Sequence, residues 1–555
     1  MFNDANNAIK IDLTLNPINY PNKFKKIYER NLQKLRKPFV FWLGKISIKE
    51  SSNIDWWVLN HVSRDSSKSK LFHYYSLLES LKEFSKTDKK KEEIIVHKFT
   101  YHQLLDNSIL KNRFKSFIAL NEKKPKKNIL NFLKFFTSSF VIFIFIKFFK
   151  KKRKFNRSLT LIDTFITGPN LEKNNIYGKK FISLIKSKDS HFFVPTLVYL
   201  RPYKKYQTIK ELIKNKKFLF KEEYLRFSDL LYSFGIFFRI KKFKKNFTKI
   251  SCWNLSEIVN KEISSTDSLD SIITGLINFR FSKRLSEEKV KVKKTINWFE
   301  NQNLDKGWNL GFSRYYKDAE SVGYQGFTYL PDCMHTHPAN YEFKAEIIPK
   351  KIIVIGSAYK KLRKEFCSAL DVVVGPALRF NSQFKHKKKK KYEVLFVLSG
   401  FKVYDEILLS KAINIANQNS KFKIFIKFHP ILPRLKIMNS TNIPYNLIEV
   451  SNNLQNIFQK SELVVSSGPT SAILESLLYD CRLIIFKISI YEKLLVNRLN
   501  LPKHIYKICY DDSELSDLIY KHFKRDKKLK KLNYKKLNSL KKRLFEPVNN
   551  NFLAL

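Results

Sequence analysis

Glycine is scarce in this chain, 13 of 555 residues, and acidic side chains are outnumbered, with 49 Asp+Glu against 105 Lys+Arg. Cysteine is thin as well. The five (Cys252, Cys333, Cys367, Cys481, Cys509) lie far apart, with no CxxC and no metal-ligand spacing. They read as buried or free thiols in a reducing compartment. The opening MFNDANNAIKIDLTLN lacks a basic stretch followed by an apolar one. No signal peptide is therefore expected, and the protein should face the cytoplasm. No internal repeat of fixed period is found.

With 44% hydrophobic and 28% charged residues, the composition is globular and excludes disorder throughout. The length exceeds what one core usually serves, so two domains or more are expected. The net charge of +56 asks for an anionic partner: nucleic acid, phospholipid headgroups or a phosphorylated substrate. Lysines and arginines are spread through every segment instead of forming one stripe. No nucleic-acid partner is expected.

Short apolar runs alternate with helical patterns from the start. Residues 38–44 (PFVFWLG) read as a buried strand, 67–84 as a helix, 93–98 (EIIVHK) as a strand and 101–110 as a helix. Further on, 159–166 and 192–200 are strand-like, with a helix near 179–187 between them. This is the rhythm of βαβ units and a parallel sheet.

Residues 128–154 (NILNFLKFFTSSFVIFIFIKFFKKKRK) break that rhythm. The uninterrupted apolar stretch, 135–146, falls short of the roughly 20 residues that cross a bilayer as a helix. Lysines and an arginine bracket it on both sides, at Lys123–Lys127 and Lys150–Lys154. An interfacial helix on an anionic membrane surface fits this pattern; a buried core helix and a true span are the alternatives. A second basic, aromatic patch at 237–247 (FFRIKKFKKNF) reads as a solvated helix face, with contact to lipid or phosphate as the alternative.

A lysine-rich run at 385–391 suits an exposed linker, and βα alternation becomes clear beyond it. Strands are expected at 392–398, 422–428, 462–465 and 482–486, and helices at 403–417, 454–459 and 470–478. In open parallel sheets, ligands bind beyond the carboxyl ends of the strands. At one such end Lys427 and His429 are two apart and suit a phosphate leaving group. At another, Ser466, Ser467, Gly468, Pro469, Thr470 and Ser471 open a helix whose free amides would attract an anion. Gly400 ends the first strand of this half, and Glu475 lies one helical turn in, within reach of a ribose. Ordinary helix capping is the plainer reading of the hydroxyls.

KFHP followed by VVSSGPTSAILESLL resembles the nucleotide-binding half of GT-B glycosyltransferases of bacterial surface polysaccharides. Enzymes of capsule and O-antigen that use CMP-activated sugars, such as Kdo and sialic acid, are among them. Trp298–Gln302 (WFENQ), Gly307-Trp308 and the GYQGF run at 323–327 are similar to the acceptor-side domain of surface-carbohydrate biosynthesis proteins, as is Asp55-Trp56-Trp57. The resemblance implies an α/β, GT-B-like fold of two Rossmann-like domains facing a cleft, with a membrane-associated helical insertion in the first. An acceptor-side domain would occupy 1–384, with the insertion at about 120–156, and a nucleotide-sugar-binding domain with C-terminal helices 392–555. It further implies a nucleotide-sugar donor as substrate, no cofactor and no essential metal. The acceptor would be a lipid-linked or growing glycan, at the cytoplasmic face of the cell membrane.

A transferase needs a carboxylate to take the acceptor's proton. Glu300 is the first candidate, at the end of an apparent apolar helix (TINWFE); Asp267 and Asp270 come next. A carboxylate that only anchors the following loop is the plain reading of Glu300. His335 and His337 suggest a metal pair, but no third ligand stands nearby, and a loop lining the acceptor cleft is expected there. The rival functions are a polyol-phosphate transferase of the same fold and a non-catalytic basic membrane adaptor.

Overall fold

The computed structural model describes residues 10–87, 93–107, 114, 116–121, 129–169, 175–178, 181, 185, 188–198, 200–265, 268–380, 392–418, 420, 422–433, 444–524 and 534–548. The expected linker at 385–391 and Asp267 lie outside these, as do most of the helix expected at 179–187 and the end of that at 101–110. The chain divides into two units. One holds residues 1–325, 333–352 and 363–371, and the other 326–332, 353–362 and 372–555.

The first unit begins with a small parallel sheet of β1 (Lys10–Asp12), β2 (Glu93–His97) and β3 (Ser116–Leu120), in that order. The expected strand at 38–44 is instead part of a helix, α1 (Arg36–Ser47). It is exposed only at Lys37, Pro38, Phe41 and Lys45, positions that recur every three or four residues. That spacing is helical, but a seven-residue window was too short to reveal it. Pro38 lies in the first turn, where its missing N–H costs nothing. Helix α2 (Leu71–Thr87) follows, beginning four residues and ending three residues later than the expected 67–84.

Helix α3 (Ile129–Phe149) is 21 residues long, or about 31 Å at 1.5 Å per residue. The stretch 135–146 noted in the sequence is thus only the middle of a longer helix that carries Lys134 and Lys147. Thr137 does not interrupt the helix, because its hydroxyl donates back to the carbonyl of Leu133 (2.9 Å). Among the described residues this is the one helix long and apolar enough to cross a membrane. Nor is it a core helix: of its described side chains only Phe143 and Ile146 are buried.

The main sheet of this unit runs β5-β4-β6-β7-β8-β9. Its strands are β4 (Leu159–Ile166), β5 (His191–Leu197), β6 (Val292–Trp298), β7 (Glu320–Gln325), β8 (Lys351–Val354) and β9 (Asp371–Val374). The unit boundary passes through the last two. The pairings β4–β5, β4–β6 and β6–β7 are parallel. β4 is buried at seven of its eight positions, as a strand covered on both faces should be. Residues 295–298, read as the end of a helix, belong to β6. Four consecutive buried residues cannot be told from a helical segment by periodicity, and the β-branched Val292, Thr295 and Ile296 decide for strand. Between β5 and β6 lie α4 (Pro202–Ile213), α5 (Phe227–Phe234), α6 (Ile236–Arg239) and α7 (Leu269–Glu287), and α8 (Asn303–Tyr315) follows β6.

The second unit is built on β10 (Tyr392–Val397), β11 (Ile424–Lys427), β12 (Leu447–Glu449), β13 (Ser461–Ser466), β14 (Arg482–Phe486) and β15 (Tyr506–Cys509). Their order is β12-β11-β10-β13-β14-β15, with all five pairings parallel. Helices α9 (Lys402–Gln418), α10 (Leu454–Gln459), α11 (Ala472–Leu478) and α12 (Tyr491–Arg498) join them. The strands and helices expected here are present within a few residues of the anticipated bounds. Numbered within the sheet, the order is 3-2-1-4-5-6, the doubly wound arrangement of dinucleotide-binding folds.

Candidate functional site

In a doubly wound sheet the ligand crevice opens where the strand order reverses. In the second unit that point lies between β10 and β13, whose ends are in register, Val397 opposite Ser466. Lys427, ending β11, is opposite Val397 on the other side. The turns Ser399-Gly400 and Ser467-Gly468 leave the two central strands. Both glycines have left-handed backbones, φ +88° and +78°, a region that other residues enter only under strain.

Each turn is clasped by a carboxylate of the chain itself. Asp405 accepts from the amide (2.6 Å) and hydroxyl (2.8 Å) of Ser399 and from the amide of Gly400 (2.8 Å). Glu492, on α12, accepts from the hydroxyl of Ser467 (2.8 Å) and the amide of Gly468 (3.0 Å). Its second oxygen takes the amide of Ser489 (3.0 Å), whose hydroxyl also accepts from Tyr404 (2.9 Å). Burial pushes both carboxyls above the usual range. The amide of Gly468, expected to be open to an anion, is therefore already engaged.

The other expected residues are engaged in part. Ser466 donates to the carbonyl of Val397 (2.9 Å), and Thr470 accepts from the amide of Ala472 (3.2 Å), the capping role of the plainer reading. Ser471 precedes α11, and its carbonyl accepts from the amide of Glu475, which is buried. Lys427 donates to the carbonyl of Ser451 (3.0 Å).

His429 is half-buried and lies against Gly400, and its Nδ1 accepts from the amide of Ile431 (3.3 Å). That bond assigns the proton of the neutral ring to Nε2. Burial, and then Lys427, lower its pKa, against the opposing pull of Asp405. His429 is thus neutral at pH 7, with Nε2–H as a donor.

In the first unit the strand order reverses between β4 and β6, and Glu300 follows the end of β6. Its Oε1 accepts from Trp298 Nε1 and its Oε2 from Gln302 Nε2, both at 2.8 Å. Gln302 in turn accepts from Lys68 (3.1 Å). Asn301 between them is buried with φ +60°. Its side chain donates to the His335 carbonyl (2.9 Å) and Glu342 (3.1 Å), and accepts from Lys306 (2.6 Å). Glu342 pairs with both Arg64 and Lys306, all three fully buried, and these cations hold its carboxyl below the usual range despite burial. Asp305 takes the amides of Glu300 (3.2 Å) and Gln302 (2.9 Å), and burial pushes its carboxyl up to about 8. The loop is fixed from every side.

His337 is buried with Nδ1 3.4 Å from Glu365, and burial lowers the pKa of His335 to about 4. Asp270 is exposed and accepts from the amide of Ser271 (2.8 Å), at the start of α7. Among the described residues no three His, Cys, Asp or Glu are disposed to hold a metal ion.

No protein-family description matches the chain, and no curated protein is similar to it. Likeness appears only among solved structures. MurG from Acinetobacter baumannii is 9% identical, with 71% of this chain and 97% of that one covered and a TM-score of 0.36. The glycosyltransferase SnogD from Streptomyces nogalater is 8% identical over 72% and 98%, TM-score 0.39. The N-terminal domain of trehalose-6-phosphate phosphatase from Candida albicans is 11% identical over 73% and 96%, TM-score 0.39. Scores of this size assign neither a fold family nor an activity. The functional reading rests on the chain's own residues.

Four of those residues were not anticipated. Asp405 had a local signal, since an acid five residues past Ser399-Gly400 falls in the first turn of α9. Glu492 had none: it stands 25 residues beyond Ser467 and reaches it only through the order of β13 and β14. Asp305 and Glu342 are likewise brought to the Glu300 loop by the fold.

Proposed function

We propose that this chain is a GT-B-type glycosyltransferase of surface-polysaccharide assembly. It would move a sugar from a nucleotide donor, CMP-linked in the enzymes it resembles, onto a lipid-linked or growing glycan. Peripheral attachment to an anionic membrane at its cytoplasmic face, and catalysis without an essential metal or cofactor, belong to the same reading. The observation that carries it is His429. A neutral imidazole held against Gly400 beside a doubly wound switch point keeps one N–H donor for a phosphate oxygen. Ser467 and Gly468 contribute by fixing the neighbouring turn, and Lys427 adds positive charge two residues away. Glu300 is the proposed general base. Hydrogen bonds from Trp298 and Gln302 orient its carboxylate, as a proton acceptor requires.

Thermal stabilisation by CMP-, CDP-, UDP- and GDP-linked compounds tests the donor site, because a bound ligand raises apparent stability by mass action. One nucleotide class should raise the melting temperature of wild type and fail to do so for His429→Ala. Equal stabilisation of both proteins would remove His429 from the site. Mass analysis of the product then identifies the transferred group as a sugar or a polyol phosphate.

A further inference from the structure

We propose that α3 lies along the membrane surface instead of crossing it, and that α4, α5 and α6 share its lipid-facing surface. This rests on the peripheral-membrane reading above.

A helix that spans a bilayer must face lipid, or other spanning helices, over its whole length. Here one side of α3 is held against the globular unit from end to end. Near its start Phe132 packs on Phe234 and Phe237, with ring centroids 5.7 and 5.6 Å apart, and Phe136 packs on Phe234 at 4.9 Å. Midway, Phe140 meets Phe227 at 5.6 Å, and Phe143 enters the core with Leu159, Leu161 and Trp308. Towards the end Phe145 packs on Tyr206 at 4.8 Å, and Lys147 donates to the carbonyl of Glu223 (3.1 Å). Insertion across a bilayer would strip all of these contacts.

The opposite side is bare. Leu130, Leu133, Val141, Ile144 and Phe148 are exposed, at spacings of three, four or eight that keep them on one stripe. Neighbouring helices continue the apolar surface. Tyr203 on α4, Leu231 on α5 and Phe238 on α6 are 70%, 52% and 80% exposed. Twelve of the 22 large hydrophobic side chains exposed among the described residues belong to these four helices. A patch of this kind marks an interaction surface.

Charge selects an anionic bilayer as its occupant. Exposed lysines accompany the patch at Lys134, Lys151, Lys154, Lys204, Lys241 and Lys242. Among the nearby acids, Glu223 and Asp229 are turned inward, paired with Arg153, Arg280 and Arg284, and the exposed Glu211 of α4 is paired with Lys214. Apolar side chains rimmed by exposed lysines suit acyl chains beneath anionic headgroups.

Substitutions are needed instead of removal of α3, which would take Phe143 out of the core. The full-length protein is sedimented with vesicles of phosphatidylglycerol and phosphatidylcholine. Leu231→Glu/Phe238→Glu should bind at least tenfold more weakly than wild type with an unchanged melting temperature, although neither residue lies on α3. Asn131→Cys and Lys151→Cys, made singly in a background free of other cysteines, report on the two ends of the helix. In sealed inside-out membrane vesicles an impermeant maleimide should label both. Wild type that ignores anionic vesicles would overturn the peripheral-membrane reading and this proposal with it. Normal binding by the double variant would overturn the shared surface alone. Protection of one end of α3 would show that it spans.

Discussion

The imidazole of His429 and the backbone of Gly400 are in direct contact: a Cβ on Gly400 would lie 2.6 Å from Nδ1. Alanine at 400 therefore meets two obstacles, a left-handed φ of +88° and the ring itself. The backbone strain alone is worth roughly 1–3 kcal/mol. The ring has to move to relieve the contact, breaking its bond from Ile431. Gly400→Ala is expected to lower the melting temperature modestly and to abolish nucleotide-induced stabilisation. Retained stabilisation would mean that the position of His429 is unimportant.

The same contact fixes which nitrogen acts. With Nδ1 occupied by the Ile431 amide, only Nε2–H can reach a ligand. Glutamine places an amide nitrogen near Nε2, and asparagine places one near Nδ1. His429→Gln should keep part of the nucleotide affinity and His429→Asn should lose it. Because the pKa lies below the ordinary 6.5, wild-type affinity should be flat from pH 7 to 9. An imidazolium contact would instead weaken steeply as pH rises past about 6.5. Isothermal titration across that range separates the two.

Glu492 accepts hydrogen bonds on both oxygens in a fully buried setting. Glutamine must turn its NH₂ towards one of the two donor sets, leaving donors face to face. Glu492→Gln should cost about 1–3 kcal/mol. Ser467→Ala removes one donor only and should cost less, within about 1 kcal/mol. Urea unfolding of the two variants gives the order, and a larger loss at Ser467 would reverse it.

How much was legible follows from how local each signal is. The strands β10, β13 and β14 are continuous apolar runs, and the turns between them carry Ser-Gly and Gly-Pro, so both elements and ligand-facing ends can be read from the chain. α1 was misread because seven residues hold less than two helical turns. The length of α3 was underestimated because Lys134 and Lys147 bound the stretch 135–146 in sequence, whereas the helix carries both. The carboxylates at the turns were hidden for a deeper reason. Ser467 meets Glu492 only once β14 lies beside β13, and no spacing rule encodes that adjacency. Asn301 shows both sides of the matter: its place in ENQ drew notice, but its burial against Glu342 and Lys306 did not.

Asp305 should make stability depend on pH. In the fold its carboxyl stays protonated up to about 8, whereas in the unfolded chain it ionises near 4. Between these values the unfolded state binds fewer protons, so its contribution is full below pH 4 and is lost as pH rises to 8. The slope for one proton is at most about 1.4 kcal/mol per pH unit. Asp163 and Glu262, raised by burial to about 6 and about 7, share that window, so the difference between wild type and a variant at 305 isolates Asp305. Asp305→Asn cannot ionise. Urea midpoints should fall from pH 6 to 8 in wild type more than in the variant, and parallel profiles would mean that Asp305 is ionised in the fold.

Glu300 is where function and architecture compete most directly. Its oxygens each accept one hydrogen bond at 2.8 Å, from Trp298 and Gln302, and such bonds serve an oriented base and a loop anchor equally well. Glu300→Gln separates the roles because it keeps the shape and one acceptor oxygen but cannot take a proton. A general base typically contributes 10²–10⁴-fold, so turnover should fall by about that factor. Donor affinity should stay unchanged, since His429 and its neighbours belong to the other unit. The acidic limb of the wild-type rate profile, where the carboxylate becomes protonated, should vanish from the residual activity. The anchor role predicts otherwise. Opposing an NH₂ to Trp298 or Gln302 would loosen a loop already held by Asn301 and Asp305, and melting temperature and acceptor affinity would drop together. A stable variant with near-normal turnover would exclude Glu300 as the base, and Asp270, exposed at the start of α7, would be tested next.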